Sequence, residues 1–263
     1  MTDSTLTSTR PPFGMVFGSL FRADFTVLLR SVRMIALNLA LPIIVLIIFS
    51  LHSGQGNGSA AAGLTAGGFD IGLALTYGLM SSSLIGYSIT VARDRDAGVF
   101  QRLRVTPAPT WAIMASRVLV QLVVNLIMTV IVIVLGAILF KTTFSFGQYL
   151  LVAGVALLGG IMFLAIGQAV VGLVRSATAV NAVGRVLYVI LLLLGLLGSS
   201  GLLGDTVKSI ADWTPVGAMI NLFESALSLA AWGSDQTTAI IAIAIYIVVG
   251  AFIGIRWFRW DSR

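Results

Sequence analysis

The chain of 263 residues contains no cysteine. That absence excludes disulfides, thiolate-ligated zinc and thiol nucleophiles, and it leaves the redox compartment unread. Histidine occurs once, as His52, so no multi-histidine metal site can form. At the end of an apolar run, His52 reads as a polar side chain at a membrane–water boundary. Charge is scarce as well: Asp, Glu, Lys and Arg make up 10% of the residues, against about 25% in an ordinary soluble domain. No GxxxxGK[ST] phosphate loop occurs, so ATP-driven work would draw its energy from another chain. No Asp, Glu, Lys, Arg or His falls in the central part of a long apolar run. Titratable groups in the membrane mark proton pathways, so their absence argues against proton coupling. A sodium-coupled mechanism using Ser81, Ser82, Ser83 and backbone carbonyls stays open.

What fills the chain instead is apolar: 58% of residues are hydrophobic, and the mean hydropathy is +1.03. A bilayer core is crossed by about 20 apolar helical residues. Six stretches meet that length, at 34–51, 69–92, 112–140, 148–174, 183–203 and 237–258. Open sheets cannot sit in lipid, and these runs are too long and continuous for barrel strands. The expected fold is therefore an all-α polytopic bundle of six transmembrane helices. Fourteen of the 16 Lys and Arg residues fall on one side of those spans, with Lys141 and Lys208 on the other. The positive-inside rule then places both termini in the cytoplasm of a multi-pass cell-membrane protein. The net charge of +6 follows from that asymmetry and does not call for a nucleic-acid partner. The first apolar run reads as a retained anchor and not as a cleaved leader.

Four segments outside the spans have character of their own. Residues 1–12 are rich in Ser and Thr, end in Pro11-Pro12 and read as a disordered tail. In 13–33, Phe13, Phe17, Leu20, Phe21, Phe25, Leu28 and Leu29 recur at three- and four-residue steps, with Arg22, Thr26, Arg30 and Arg33 largely elsewhere. This pattern predicts an amphipathic helix lying in the interface; the alternative is a continuation of the first span. The remainder, 34–260, reads as one transmembrane domain. The first external connection is Gly- and Ser-rich and reads as flexible. The last, 204–236, carries Asp205, Asp212, Glu224 and Asp235 around the segment VGAMINLFESALSLAAW, bracketed by Trp213 and Trp232. It is too interrupted to span, and indole rings favour the interface. Re-entrant or interfacial helices on the external side are expected there.

A few polar side chains do enter the spans. Asn38 lies in the first, Gln121 and Asn125 share one face of the third, and Gln168 lies in the fourth. Either they make interhelical hydrogen bonds, or they contact a substrate along its path; Tyr77 and Tyr87 carry the same ambiguity. Small residues allow close helix approach, and Gly250 and Gly254 form a GxxxG in the last span. Packing within one subunit is the default expectation for that pair, and a subunit interface is the alternative.

One charged island interrupts the apolar pattern. Residues 93–111 read RDRDAGVFQRLRVTPAPTW and hold six of the 26 charged side chains. The stretch 97–105 can form about two helical turns before Pro107 and Pro109 stop it. Val99, Phe100 and Leu103 make an apolar cluster beside Arg102 and Arg104. A short helix with an aromatic anchor suits docking on a partner, and an ordinary solvated loop is the competing reading.

This run, RDRDAGVFQRLRVTPAP, resembles the cytoplasmic coupling segment of ABC type-2 permeases. Asp94 and Asp96 match the acidic positions, Gly98 the glycine, and Leu103, Thr106 and Pro107 the end. Val99 stands in place of the usual threonine, and Asp stands where Glu is common. A second run, DWTPVGAMINLFESAL from Asp212 to Leu227, resembles the family's Pro-containing external segment before the last span. The amphipathic N-terminal helix and the six spans fit the same pattern.

The resemblance implies a permease subunit of an ATP-driven exporter. Such permeases pair, as a homodimer or with a sister permease, and bind two copies of a cytoplasmic ABC ATPase. ATP and Mg would then belong to that partner, with no cofactor and no catalysis in this chain. The coupling helix would comprise Gly98, Val99, Phe100, Gln101, Arg102, Leu103 and Arg104. Small members with short external loops look most like drug- and antibiotic-resistance exporters, so a hydrophobic, drug-like or lipid-like cargo is implied. Asn38, Gln121, Asn125 and Gln168 are the candidates for the substrate path. The competing class is a self-sufficient sodium-coupled carrier or channel. A membrane enzyme would have to draw on Asp205, Asp212 and Glu224, whose spacing suggests no metal site.

Overall fold

A computed structural model of the chain describes residues 13–30, 32–53, 63–104, 109–199, 204–229 and 232–257. The expected tail, the tip of the first connection and Pro107 lie outside them. Among the described residues every regular element is helical. In order these are α1 (Phe13–Arg30), α2 (Val32–Ser53), α3 (Gly63–Leu79), a π-helical segment (Met80–Tyr87), α4 (Ser88–Asp96) and α5 (Val99–Arg104). Then come α6 (Thr110–Leu139), α7 (Phe146–Leu173), α8 (Ala177–Ser199), α9 (Asp205–Asp212), α10 (Pro215–Ser228) and α11 (Ser234–Trp257).

Among the described residues, five helices are long and apolar enough to cross a membrane: Gly67–Asp96, Trp111–Leu139, Phe146–Leu173, Ala177–Gly195 and Ser234–Trp257. They coincide with five of the six expected spans. The stretch expected as the first span is helical within α2, but its apolar part among the described residues, Leu39–Leu51, is shorter than the others. The second expected span runs as one rod from α3 through the π-helical segment into α4. It carries the helix to Asp96, so the first four residues of the charged island are helical.

That rod is the hub of the bundle. Ile71, Leu73, Leu75, Leu79, Met80 and Leu84 are wholly buried along it. Its close approach to other helices rests on missing Cβ atoms. At Gly78 a Cβ would come within 3.0 Å of Pro42 in α2 and 2.9 Å of the Met128 sulfur in α6. In lipid the drive for helix association is close packing, because the surrounding chains are as apolar as the side chains. The same reasoning explains the seam between α7 and α11. A Cβ on Gly250 would stand 2.8 Å from the Ala165 carbonyl carbon, and one on Gly254 would stand 2.6 Å from Gln168 Cγ. The GxxxG pair therefore faces a neighbouring helix of the same subunit, as the default reading expects.

The segment before the last helix is more deeply built in than its acidic flanks suggest. Thr214 caps α10 by accepting from the Gly217 amide at 3.1 Å, with Pro215 at the first helical position. At 14 residues α10 is about 21 Å long, too short to cross a bilayer. Yet Val216, Ala218, Met219, Ile220, Leu222 and Phe223 are buried against α3, α7, α8 and α11. At the other end, Leu227 O accepts from Gln148 Nε2 at 2.5 Å. Trp213 and Trp232, which flank the segment, are exposed.

Candidate functional site at the arginine-rich end

The charged island closes the end of the bundle at which α4 and α7 terminate and α5, α6 and α8 begin. Arg95 points inward and is 2% exposed. Its Nη1 donates to Val171 O at 2.8 Å, in the last turn of α7. Asp96 Oδ2 accepts from the Ala177 amide at 2.8 Å, the first residue of α8. Helix C-termini favour cations and N-termini favour anions, so two adjacent residues of opposite sign hold the turn between α7 and α8. Arg95 Nε also lies 3.6 Å from Asp96 Oδ1. Asp94, one step earlier, faces the other side of α4 and pairs with Arg117 Nη1 of α6 at 2.5 Å.

The chain then turns at Gly98. Its φ of +70° is left-handed, a conformation glycine adopts without steric cost. The helix expected over 97–105 is the single short element α5. Its seven candidate coupling residues separate by face. Phe100 is wholly buried among Tyr87, Val91, Ala92 and Ile113. The Arg117 guanidinium sits 4.8 Å from its ring centroid. Val99 and Leu103 are half-buried beside it, and Gly98 is half-buried at the turn. Gln101 and Arg102 are exposed, and the side chain of Arg104 lies outside the described residues. The aromatic anchor thus fixes α5 to its own bundle, while the outward face carries Gln101 and Arg102.

Beside α5 lies a cavity of about 420 Å³. Its apolar walls come from α1, α4, α5 and α6 and include Leu20, Val27, Leu103, Ile113, Val120 and Val124. Its polar side holds Asp24, Asp94, Arg117, Tyr87, Thr90 and Gln121. Asp24 accepts a short hydrogen bond from the Ser116 hydroxyl. The sequence reading of α1 weighed its arginines and passed over Asp24. A lone carboxylate in a stripe whose other charges are all basic was the available signal.

The four polar candidates for a substrate path meet different fates. Gln121 Nε2 donates to Ser82 Oγ at 2.6 Å, and Asn125 Nδ2 donates to Ser83 Oγ at 2.7 Å. Both acceptors belong to the π-helical segment. Asn125 is buried, with Gly160 of α7 close on its far side. Gln168 Oε1 accepts from Tyr87 Oη at 3.0 Å. The structure brings these three together around one helix, and of them only Gln121 borders the cavity. The side chain of Asn38 lies outside the described residues. Tyr77 donates to Leu192 O at 2.8 Å, an interhelical bond. Among the described residues no group of three or more Asp, Glu, His or Cys side chains comes together as a metal site.

A sequence profile for the ABC-2 type transporter matches residues 15–228, from α1 through α10, and takes in both the charged island and the Pro-containing segment. The chain belongs to the ABC-2 type transporter family. A curated relative agrees: the Bacillus subtilis (strain 168) protein named "Putative transport permease YvfS" is 24% identical over 174 residues, covering 66% of this chain and 69% of its own. As an ABC-2 family member with several apolar helices, the chain is a multi-pass membrane protein and the membrane component of a transporter. The clamped turn of Arg95 and Asp96, the α5 helix and the cavity all lie within the part of the chain that the ABC-2 profile covers.

Proposed function

We propose that this chain is the permease subunit of an ATP-driven exporter, with ATP hydrolysed by a separate cytoplasmic ATPase carrying its own Mg. Two copies of the permease, or one with a sister chain, would meet two ATPase copies. A hydrophobic, drug-like or lipid-like cargo would leave the cell. The observation that carries this reading is α5. It is a short helix fixed from within by Phe100 and presented outward by Gln101 and Arg102 at the arginine-rich end. A rigid, charged helix that emerges from the bundle is suited to transmit a partner's movement.

The membrane arrangement follows from the same reading. α2 is 22 residues and so about 33 Å long, enough to serve as a sixth span. The positive-inside rule puts α5 and both termini in the cytoplasm. α1 lies in the inner interface, and α9 and α10 form a re-entrant element on the outer side, with Trp213 and Trp232 at the boundary. Export resistance to antibiotics is the physiological role most consistent with short external connections.

The test is co-expression with candidate P-loop ATPases. The chain is expected to co-purify with one of them and to change its ATP turnover. Sodium-driven flux in vesicles that hold this chain alone, without any ATPase, would overturn the proposal in favour of a self-sufficient carrier.

A further inference from the structure

The cavity beneath α1 has a charge balance that the coupling role does not use. Its volume, about 420 Å³, lies within the range of small-molecule sites. Charged groups reach it from three helices. Asp24 comes from α1, Asp94 from α4 and Arg117 from α6, while α5 contributes only Val99 and Leu103. Asp94 and Arg117 neutralise one another at 2.5 Å. Asp24 is met by the Ser116 hydroxyl, a neutral donor. Among the described residues, the one cation lining the cavity, Arg117, is thus taken by Asp94, and Asp24 is met by a neutral donor alone. Around it the surface is apolar: Leu20, Ala23, Val27, Val120 and Val124. Tyr87 has its hydroxyl proton directed to Gln168 and leaves its ring to the wall.

A carboxylate in a largely apolar cavity attracts a cation more strongly than it would in water. A small hydrated ion such as sodium would leave the aliphatic part of this wall uncovered. A cation with its own apolar body loses little and covers the walls at the same time. We infer that the cavity between α1, α4, α5 and α6 binds an amphipathic monocation, with Asp24 as its counter-ion and the valine- and leucine-lined wall around its body. α5 and α1 both supply walls of this cavity. Occupancy would therefore bear on the same helix that the proposed ATPase partner meets. The inference concerns binding to this chain alone, so it stands or falls apart from the ATPase partnership.

The experiment measures binding of radiolabelled tetraphenylphosphonium to the full chain in zwitterionic-lipid nanodiscs, with protein-free discs subtracted. Saturable binding is expected. Tetraphenylborate, of the same shape and opposite charge, is expected not to displace it. Asp24→Asn is expected to weaken binding by about tenfold or more, the factor for losing one favourable charge contact. Asp24→Glu should retain it, and Val124→Trp, which fills the cavity, should abolish it. Ser116→Ala removes the hydrogen bond to Asp24 and keeps the carboxylate, so it should bind as the unaltered chain does. Equal losses in Asp24→Asn and Ser116→Ala would make Asp24 structural and overturn the inference. Equal displacement by tetraphenylborate, measured on the unaltered chain and so independent of any variant's folding, would overturn it as well.

Discussion

Arg95 and Asp96 are adjacent in sequence and bind opposite ends of one turn, Arg95 through Val171 O of α7 and Asp96 through the Ala177 amide of α8, each at 2.8 Å. Asp96 acts as a helix cap supplied from another helix. Its replacement by Ala is expected to lower stability by about 1 kcal/mol, the usual value for a lost N-terminal cap. Asp96→Asn keeps an acceptor and should lose less. Equilibrium unfolding in mixed micelles reads the difference. Equal destabilisation by the two variants would show that charge, and not hydrogen bonding, holds the turn.

Phe100 and Arg102 divide the work of α5. Phe100→Ala removes a fully buried ring and is expected to cost about 3–5 kcal/mol, seen as loss of folded protein. Arg102→Glu changes an exposed side chain and should leave the unfolding transition in place while weakening association with the proposed ATPase partner. Size-exclusion profiles and co-purification, measured together, separate the two. Full ATPase association by a folded Arg102→Glu protein would remove Arg102 from the docking surface.

The hydrogen bonds from α6 to the π-helical segment make a third test. Gln121→Leu and Ser82→Ala remove opposite partners of the same 2.6 Å bond. A double-mutant cycle on unfolding is expected to give a coupling of roughly 0.6–1.7 kcal/mol, as for other interhelical bonds in membranes. The same cycle on Asn125 and Ser83 should match it. Coupling near zero in both would mean that the serines find other donors when α6 lets go.

Gly250→Leu is expected to disrupt the seam with α7, where even a Cβ would approach the Ala165 backbone to 2.8 Å. Overpacking of this kind costs typically about 1–3 kcal/mol. Because the seam lies inside one subunit, the loss should appear in the unfolding of the chain itself. A variant that unfolds normally but no longer pairs with a second copy would move the seam to a subunit interface.

Much of this architecture was legible in the residues. Continuous apolar runs of span length can only be helices in lipid; four of them recur within a few residues of the expected bounds, and the fifth, expected at 183–203, lies at Ala177–Gly195. The short helix in the island was legible from Pro107 and Pro109 and from its three apolar residues. What escaped was direction. Arg95 reads as one more solvated charge until α4 is seen to continue helically to Asp96, which turns it inward toward α7. Phe100 reads as an anchor for a partner until Arg117 and Ile113 are found around it. Asp24 was hidden among arginines. The α10 segment has acidic neighbours and a length short of a span, so its composition places it at a boundary. Its apolar residues at helical spacing were the sign that it packs into the core. Local patterns name helices well, but they do not say which helix lies across the gap.

The π-helical segment at Met80–Tyr87 has a consequence for everything that follows it in the rod. A residue taken up by its wider turns, beyond what an α-helix would need, shifts the azimuth of the later chain by about 100°. The bearing of Asp94 toward α6 and of Arg95 toward α7 is thus set some two turns upstream, in a segment whose Ser82 and Ser83 hydroxyls accept from Gln121 and Asn125 of α6. The segment works as a phase adjuster. If the wide turns tightened or migrated along the rod, α4 would rotate about its own axis, and the acidic and basic residues of the arginine-rich end would exchange the neighbours they face.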